Sequence, residues 1–107
     1  MPTYNKLVRD KIPQIIAATG KSYTTDILSE EKYIKELKAK LSEELNEYLQ
    51  TNEDNEALEE LADVLELIHS LTKVHGSSIE QLEKIREEKA QQRGGFNERV
   101  YLKEVEG

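Results

Sequence analysis

Between Lys40 and Asp63 the chain reads KLSEELNEYLQTNEDNEALEELAD. It contains Glu43-Glu44-x-x-Glu47, twelve intervening residues, and then Glu60-x-x-Asp63. From Leu41 to Thr72 there are ten acidic residues and no Lys or Arg. Projected at about 100° per residue, the helical pattern sorts these acids into two kinds. Tyr33, Ile34, Leu37, Leu41, Leu45, Tyr48 and Leu49 form one apolar arc, with Glu44 inside it and Glu47 at its margin. Ala57, Leu58, Leu61, Val64, Leu65, Leu67, Ile68 and Leu71 form a wider arc on the next helix. Glu60 falls inside that arc and Asp63 at its edge, whereas Glu59, Glu66 and Lys73 repeat on the polar side.

Acids directed where core residues belong need a reason. Side chains at i and i+3 are neighbours on a helix, so antiparallel packing of the two helices would bring Glu44, Glu47, Glu60 and Asp63 together. Two carboxylates about 6 Å apart repel by roughly 3 kcal/mol at an effective dielectric near 20. A cation relieves that repulsion. An all-oxygen donor set suits a hard ion, Mg²⁺ or its substitute Mn²⁺, rather than zinc. In so acidic a chain, a solvated acidic face stands beside the metal site as an explanation of the same residues.

The elements that must position these acids follow from the remaining residues. Asp10 is the expected N-cap of a first helix starting near Lys11, with Pro13 in its first turn and an end at Thr19 before Gly20. Lys21 to Leu28 reads as an extended connector or a short strand. Ser29 caps a helix that runs to about Gln50, with Glu30 and Glu31 in the favourable first turn. Thr51 to Asn55 is a short polar turn, and a third helix runs from about Asp54 to His75, stopping at Gly76. Ser77-Ser78-Ile79-Glu80 has the form of a capping box opening a fourth helix, which ends before Gly94-Gly95. The tail, with Val100 and Leu102 alternating, is read as extended and able to pair with residues 22–28 in a two-stranded ribbon.

These elements make one all-α domain over 107 residues, a four-helix bundle with a short ribbon. The apolar share of 36% is lean, and the third helix has a wider apolar arc than its neighbours can cover. A homo-oligomer, dimer or tetramer, is therefore expected. The chain has no cysteine, which excludes thiolate sites and fits a reducing compartment. With no leader-like or membrane-spanning stretch, the expected location is cytoplasmic and away from membranes. A net charge of −7 disfavours binding to a nucleic-acid polymer. An anionic small substrate would need local cations.

Lys6, Arg9 and Lys11 form a basic cluster near the start. They are candidate phosphate contacts, as is Lys40, although the residues by themselves favour a leader paired with the acidic body. Arg93 and Phe96 flank two glycines that would let backbone approach a ligand, the arginine meeting phosphate and the phenylalanine a base. A helix stop followed by a core phenylalanine is the simpler reading of that stretch. His69 and His75 have no partnered Ser or Asp pattern and read as packing or surface residues. Residues 21–75 contain no glycine, which removes P-loops and EF-hands.

The opening YNKLVRDKIP, the EELNE and ELAD acids and the closing RGGF together resemble the MazG-like all-α nucleoside triphosphate pyrophosphohydrolases. The small single-domain, phosphoribosyl-ATP pyrophosphohydrolase-like members are the nearest in pattern. The resemblance spans nearly the whole chain in order, with EExxE followed by ExxD unsubstituted. It implies that Glu44, Glu47, Glu60 and Asp63 ligate Mg²⁺ with Glu43 in support. It also implies hydrolysis of a nucleotide between the α and β phosphates, giving a nucleoside monophosphate and pyrophosphate. Because the cluster holds no histidine, the general base would be a carboxylate or a hydroxide on the ion, and either Glu43 or Glu47 could serve. The alternative of a different class is a non-catalytic helical module that binds a nucleotide or a protein partner in the same groove.

Overall fold

The computed structural model describes residues 3–107, which are all-α with four helices and, among the described residues, no strand. They are α1 (Ile12–Ala18), α2 (Glu30–Leu49), α3 (Asp54–Val74) and α4 (Ile79–Arg93). α2 begins where Ser29 places its hydroxyl to accept the Lys32 N–H, with Glu30 and Glu31 against the positive end of the helix dipole. α3 ends where Gly76 adopts φ +74, a left-handed conformation that a side chain would penalise.

The four residues joining α2 and α3 force the two long helices back on one another, and this hairpin is the packed part of the molecule. Its core is Leu37 from α2 with Val64 and Leu67 from α3. Leu37 is 3% exposed, and Thr72 is also buried, its hydroxyl returned to the Ile68 carbonyl at 2.6 Å. α4 meets only the far end of α3, where Ile68, Leu71, Thr72, His75, Ser77, Leu82 and Ile85 line an open apolar groove of about 320 Å³.

Several sequence expectations need correction. Asp10 does not cap α1. The N-cap is Lys11, whose carbonyl accepts the Ile15 N–H, while the Arg9 carbonyl takes that of Ile12, leaving no role for the aspartate side chain. The capping position of α4 lies one residue later than expected: Ser78, not Ser77, accepts the Gln81 N–H. The ribbon is not formed: residues 21–28 and 96–107 are exposed and unpaired as strands.

The largest departure concerns the apolar arcs. Leu45, Leu49, Leu58, Leu61 and Leu65 were expected in the core, yet all five are exposed, Leu49 to 75%. Two helices in contact can bury only the facing strip of each, and α1 and α4 do not extend over the rest. Phe96 is 98% exposed, so the simpler reading of a core phenylalanine also fails.

Leu37→Ala should therefore cost about 2–4 kcal/mol in urea unfolding, since it empties the best-buried position of a thin core. A loss below about 0.5 kcal/mol would mean that the hairpin seam is not what stabilises the chain.

Candidate metal centre

Two helices and one irregular segment build the acidic site. α2 contributes Glu43, Glu44 and Glu47, and α3 contributes Glu60 and Asp63. One carboxylate oxygen from each of Glu43, Glu44 and Glu47 lies within 4.8 Å of the others, and the same holds for Glu44, Glu60 and Asp63. Glu44 belongs to both triads and is the hub. It is only 8% exposed, buried on the strip that also carries Leu37 and Leu41. Glu60 and Asp63 are half-buried, while Glu43 and Glu47 are exposed at the rim. Glu59, Glu66 and Lys73 lie on the solvated side, as their seven-residue repeat indicated.

The electrostatics follow from this crowding. The Glu44 carboxyl is raised from 4.5 to about 7, first by burial, then by hydrogen bonding to Glu60 and Glu47 and by the charges of Glu47 and Asp63. Glu60 is also raised. Its hydrogen bond with Glu44 lowers it, but burial and the neighbouring Glu47 and Asp63 more than offset that. The hub therefore holds its proton to higher pH than an ordinary carboxyl. Glu44 Oε2 and Glu60 Oε2 are buried and have no hydrogen-bond partner among the described residues. Leaving buried polar atoms unpaired is unfavourable and uncommon.

Two cations touch the cluster from outside. Arg9 donates from Nη2 to Asp63 Oδ1 at 2.6 Å, and Lys40 Nζ lies 3.8 Å from Glu44 Oε1. The pairing of a basic leader with the acidic body is thus realised at Arg9. Lys6 and Lys40, with Leu7, Glu36, Ala39 and Glu43, line a small cleft of about 40 Å³ beside the acids. Glu36 was missed by the sequence reading. The signal was its spacing from Lys40 and Glu43, four and seven residues on, which puts all three on one helix face.

Not every candidate converges on the acids. Lys11 is exposed, its carbonyl spent on the start of α1. Arg93 ends α4 and Phe96 follows in the tail, both exposed, and neither side chain has a hydrogen bond or ion pair among the described residues. His69 is half-buried and His75 lines the α3–α4 groove, in keeping with packing and surface roles. That groove is larger than the cleft beside the acids, but it is mostly apolar and none of the acids lines it.

The donor set fits a hard divalent ion. All candidate ligand atoms are carboxylate oxygens, and two of them are buried without partners. Ligand oxygens around an octahedral ion with bonds of about 2.1 Å stand roughly 3 to 4.2 Å apart, within a small side-chain rotation of the spacing here. Of the four expected ligands, Glu44, Glu60 and Asp63 form one triad that could hold such an ion, while Glu47 groups with Glu43 and Glu44 in the other. Among the described residues, no helix is long and apolar enough to cross a membrane.

Compared with known proteins, the chain matches no family model, no curated protein and no solved structure.

The sign of the pH dependence follows from Glu44. Unfolded, the group releases its proton near 4.5; folded, near 7. Between these values the folded state holds more protons, so stability declines as pH rises through that window. With divalent ions chelated, the melting temperature of the wild type should fall between pH 4.5 and 7 more steeply than that of Glu44→Gln, which cannot titrate. Parallel curves for the two proteins would show that Glu44 is not the buried acid described here.

Proposed function

We propose that this chain is a metal-dependent nucleotide pyrophosphohydrolase of the MazG-like kind, acting as a homo-oligomer in the cytoplasm. The observation that carries the reading is the buried carboxylate of Glu44, set against Glu60 with an unpartnered oxygen on each. Such a pair raises the energy of the folded chain unless a cation joins it. The resemblance in YNKLVRDKIP, EELNE, ELAD and RGGF supplies the reaction class.

On this reading Glu44, Glu47, Glu60 and Asp63 hold Mg²⁺, with Mn²⁺ as a substitute. The ion's contribution would be to neutralise phosphate oxygens and to lower the pKa of an attacking water. The protein's own groups do the rest. Either Glu43 or Glu47, both exposed at the rim, would accept the proton of that water on this reading. Lys6 and Lys40 beside the cleft, with Arg9, offer positive charge to an anionic substrate that the net charge of −7 would otherwise repel. Lys11, Arg93 and Phe96 remain proposed substrate contacts on the resemblance alone. The lack of cysteine fits a reducing cytoplasm.

The oligomer rests on surface. A folded monomer of 12.3 kDa exposes about 6,100 Å², whereas this chain exposes 10039 Å². Its radius of gyration is 18.5 Å, against about 13 Å for a compact chain of this length. The extended tail contributes to both numbers, but Leu45, Leu49, Leu58, Leu61 and Leu65 lie on the hairpin itself. An obligate interface of about 2,000–5,000 Å² would take up such a face.

Two measurements check this reading. A panel of canonical and modified nucleoside triphosphates and phosphoribosyl-ATP, assayed with Mg²⁺, should release pyrophosphate from at least one. Glu60→Gln should lower that rate by about a hundredfold or more and lose the Mg²⁺-induced rise in melting temperature, while Glu59→Gln leaves both within twofold. Silence across the panel from a folded, Mg²⁺-binding protein would favour a binding module instead. Light scattering at micromolar concentration should give at least twice 12.3 kDa, and a monomer mass would refute the oligomer.

A further inference from the structure

Asp63 has two claimants. It belongs to the triad with Glu44 and Glu60, and it also accepts a hydrogen bond from Arg9. The acids of the cluster are fixed on helices, but Arg9 sits in residues 3–9, which form no helix. Half-buried Leu7 and Val8 hold this segment to the body, and the Arg9 carbonyl is engaged by the Ile12 N–H. The backbone is thus anchored, leaving the long side chain as the part that can swing. The side chains of Arg9 and Asp63 are 55% and 39% exposed, and an ion pair so open to water contributes little stability and is readily exchanged.

A guanidinium and a divalent ion on one carboxylate repel each other. At such short range a charge of +1 against +2 outweighs the orienting effect of a supporting hydrogen bond, which typically changes affinity by about 10- to 100-fold. Lys40 differs, because its ammonium is 3.8 Å from Glu44, beyond hydrogen-bond range, and can recede without breaking a bond.

We propose that Arg9 and a divalent cation are mutually exclusive partners of Asp63, so that cation binding releases the guanidinium to meet the anionic ligand that the cation recruits. The arginine then acts first as the counter-ion of the acidic cluster and afterwards as a contact for phosphate. Positive charge would reach the phosphate site in a fixed order, metal before arginine. This rests on the metal-site reading above and adds the exchange.

Mn²⁺ alone serves as the probe, with free Mn²⁺ counted by electron paramagnetic resonance at pH 7.5 and low salt. Arg9→Gln keeps a hydrogen-bond donor and removes the charge, so it should bind Mn²⁺ about fivefold or more tightly than wild type. Lys73→Gln, which removes one charge on the solvated side of α3, should change affinity by less than about twofold. In the wild type, Mn²⁺ should also speed tryptic cleavage after Arg9 relative to cleavage after Arg99 in the exposed tail. Equal or weaker Mn²⁺ binding by Arg9→Gln, or cleavage after Arg9 slowed by Mn²⁺, overturns the exchange while leaving the metal site intact. Failure of the wild type to bind Mn²⁺ overturns both.

Discussion

Glu44 is buried on the seam of a two-helix hairpin, among other carboxylates and two turns along the same strip from Leu37, the most buried residue of the core. Every other feature of the site answers to that placement. Its proton is held to about pH 7 because water has been removed and negative charge surrounds it. Asp63 is drawn to Arg9, and Lys40 approaches from one turn earlier on the same helix. Even so, two buried oxygens keep no partner among the described residues. The cluster stays together because the apolar strip of Leu37, Val64 and Leu67 fixes the two helix backbones, and the acids ride on that rigid support.

The same seam explains how little of the chain is core. Two helices bury one strip of each, and the rest of both arcs remains on the surface as a row of leucines. α4 contributes only its first turns to the end of α3 and has no buried residue. The hairpin seam carries both the apolar core and the acidic cluster, and the leucines outside it stay exposed, in keeping with the proposed oligomer.

On the proposed function, activity and stability oppose each other at this centre. A leucine at position 44 would extend the core by one residue and remove the repulsion. The glutamate instead leaves the fold dependent on counter-charges, of which the described residues supply two at the periphery and none between Glu44 and Glu60. Sites that weaken the fold in this way are where chemistry is expected.

The sequence by itself determined the four helices, their order and the acids that face inward. Those properties are local: helical periodicity sets where Glu44 and Glu60 point, and a four-residue turn leaves the two helices no choice but to pack antiparallel. It also determined that Glu59, Glu66 and Lys73 are solvated. Helix caps were legible only to within one residue, because α1 starts on backbone carbonyls with no side-chain cap, and at α4 two adjacent serines offer the hydroxyl that Ser78 supplies. Only the tertiary structure decided which of the basic residues reaches the acids. Lys6, Arg9 and Lys11 are alike in composition, but the path of an irregular leader over the hairpin brings Arg9 to Asp63, Lys6 to the cleft, and Lys11 to neither. It also decided that the tail forms no ribbon and that Phe96 and five leucines lie outside the core. Periodicity reports the direction in which a side chain points, and only packing reports whether anything stands there to meet it.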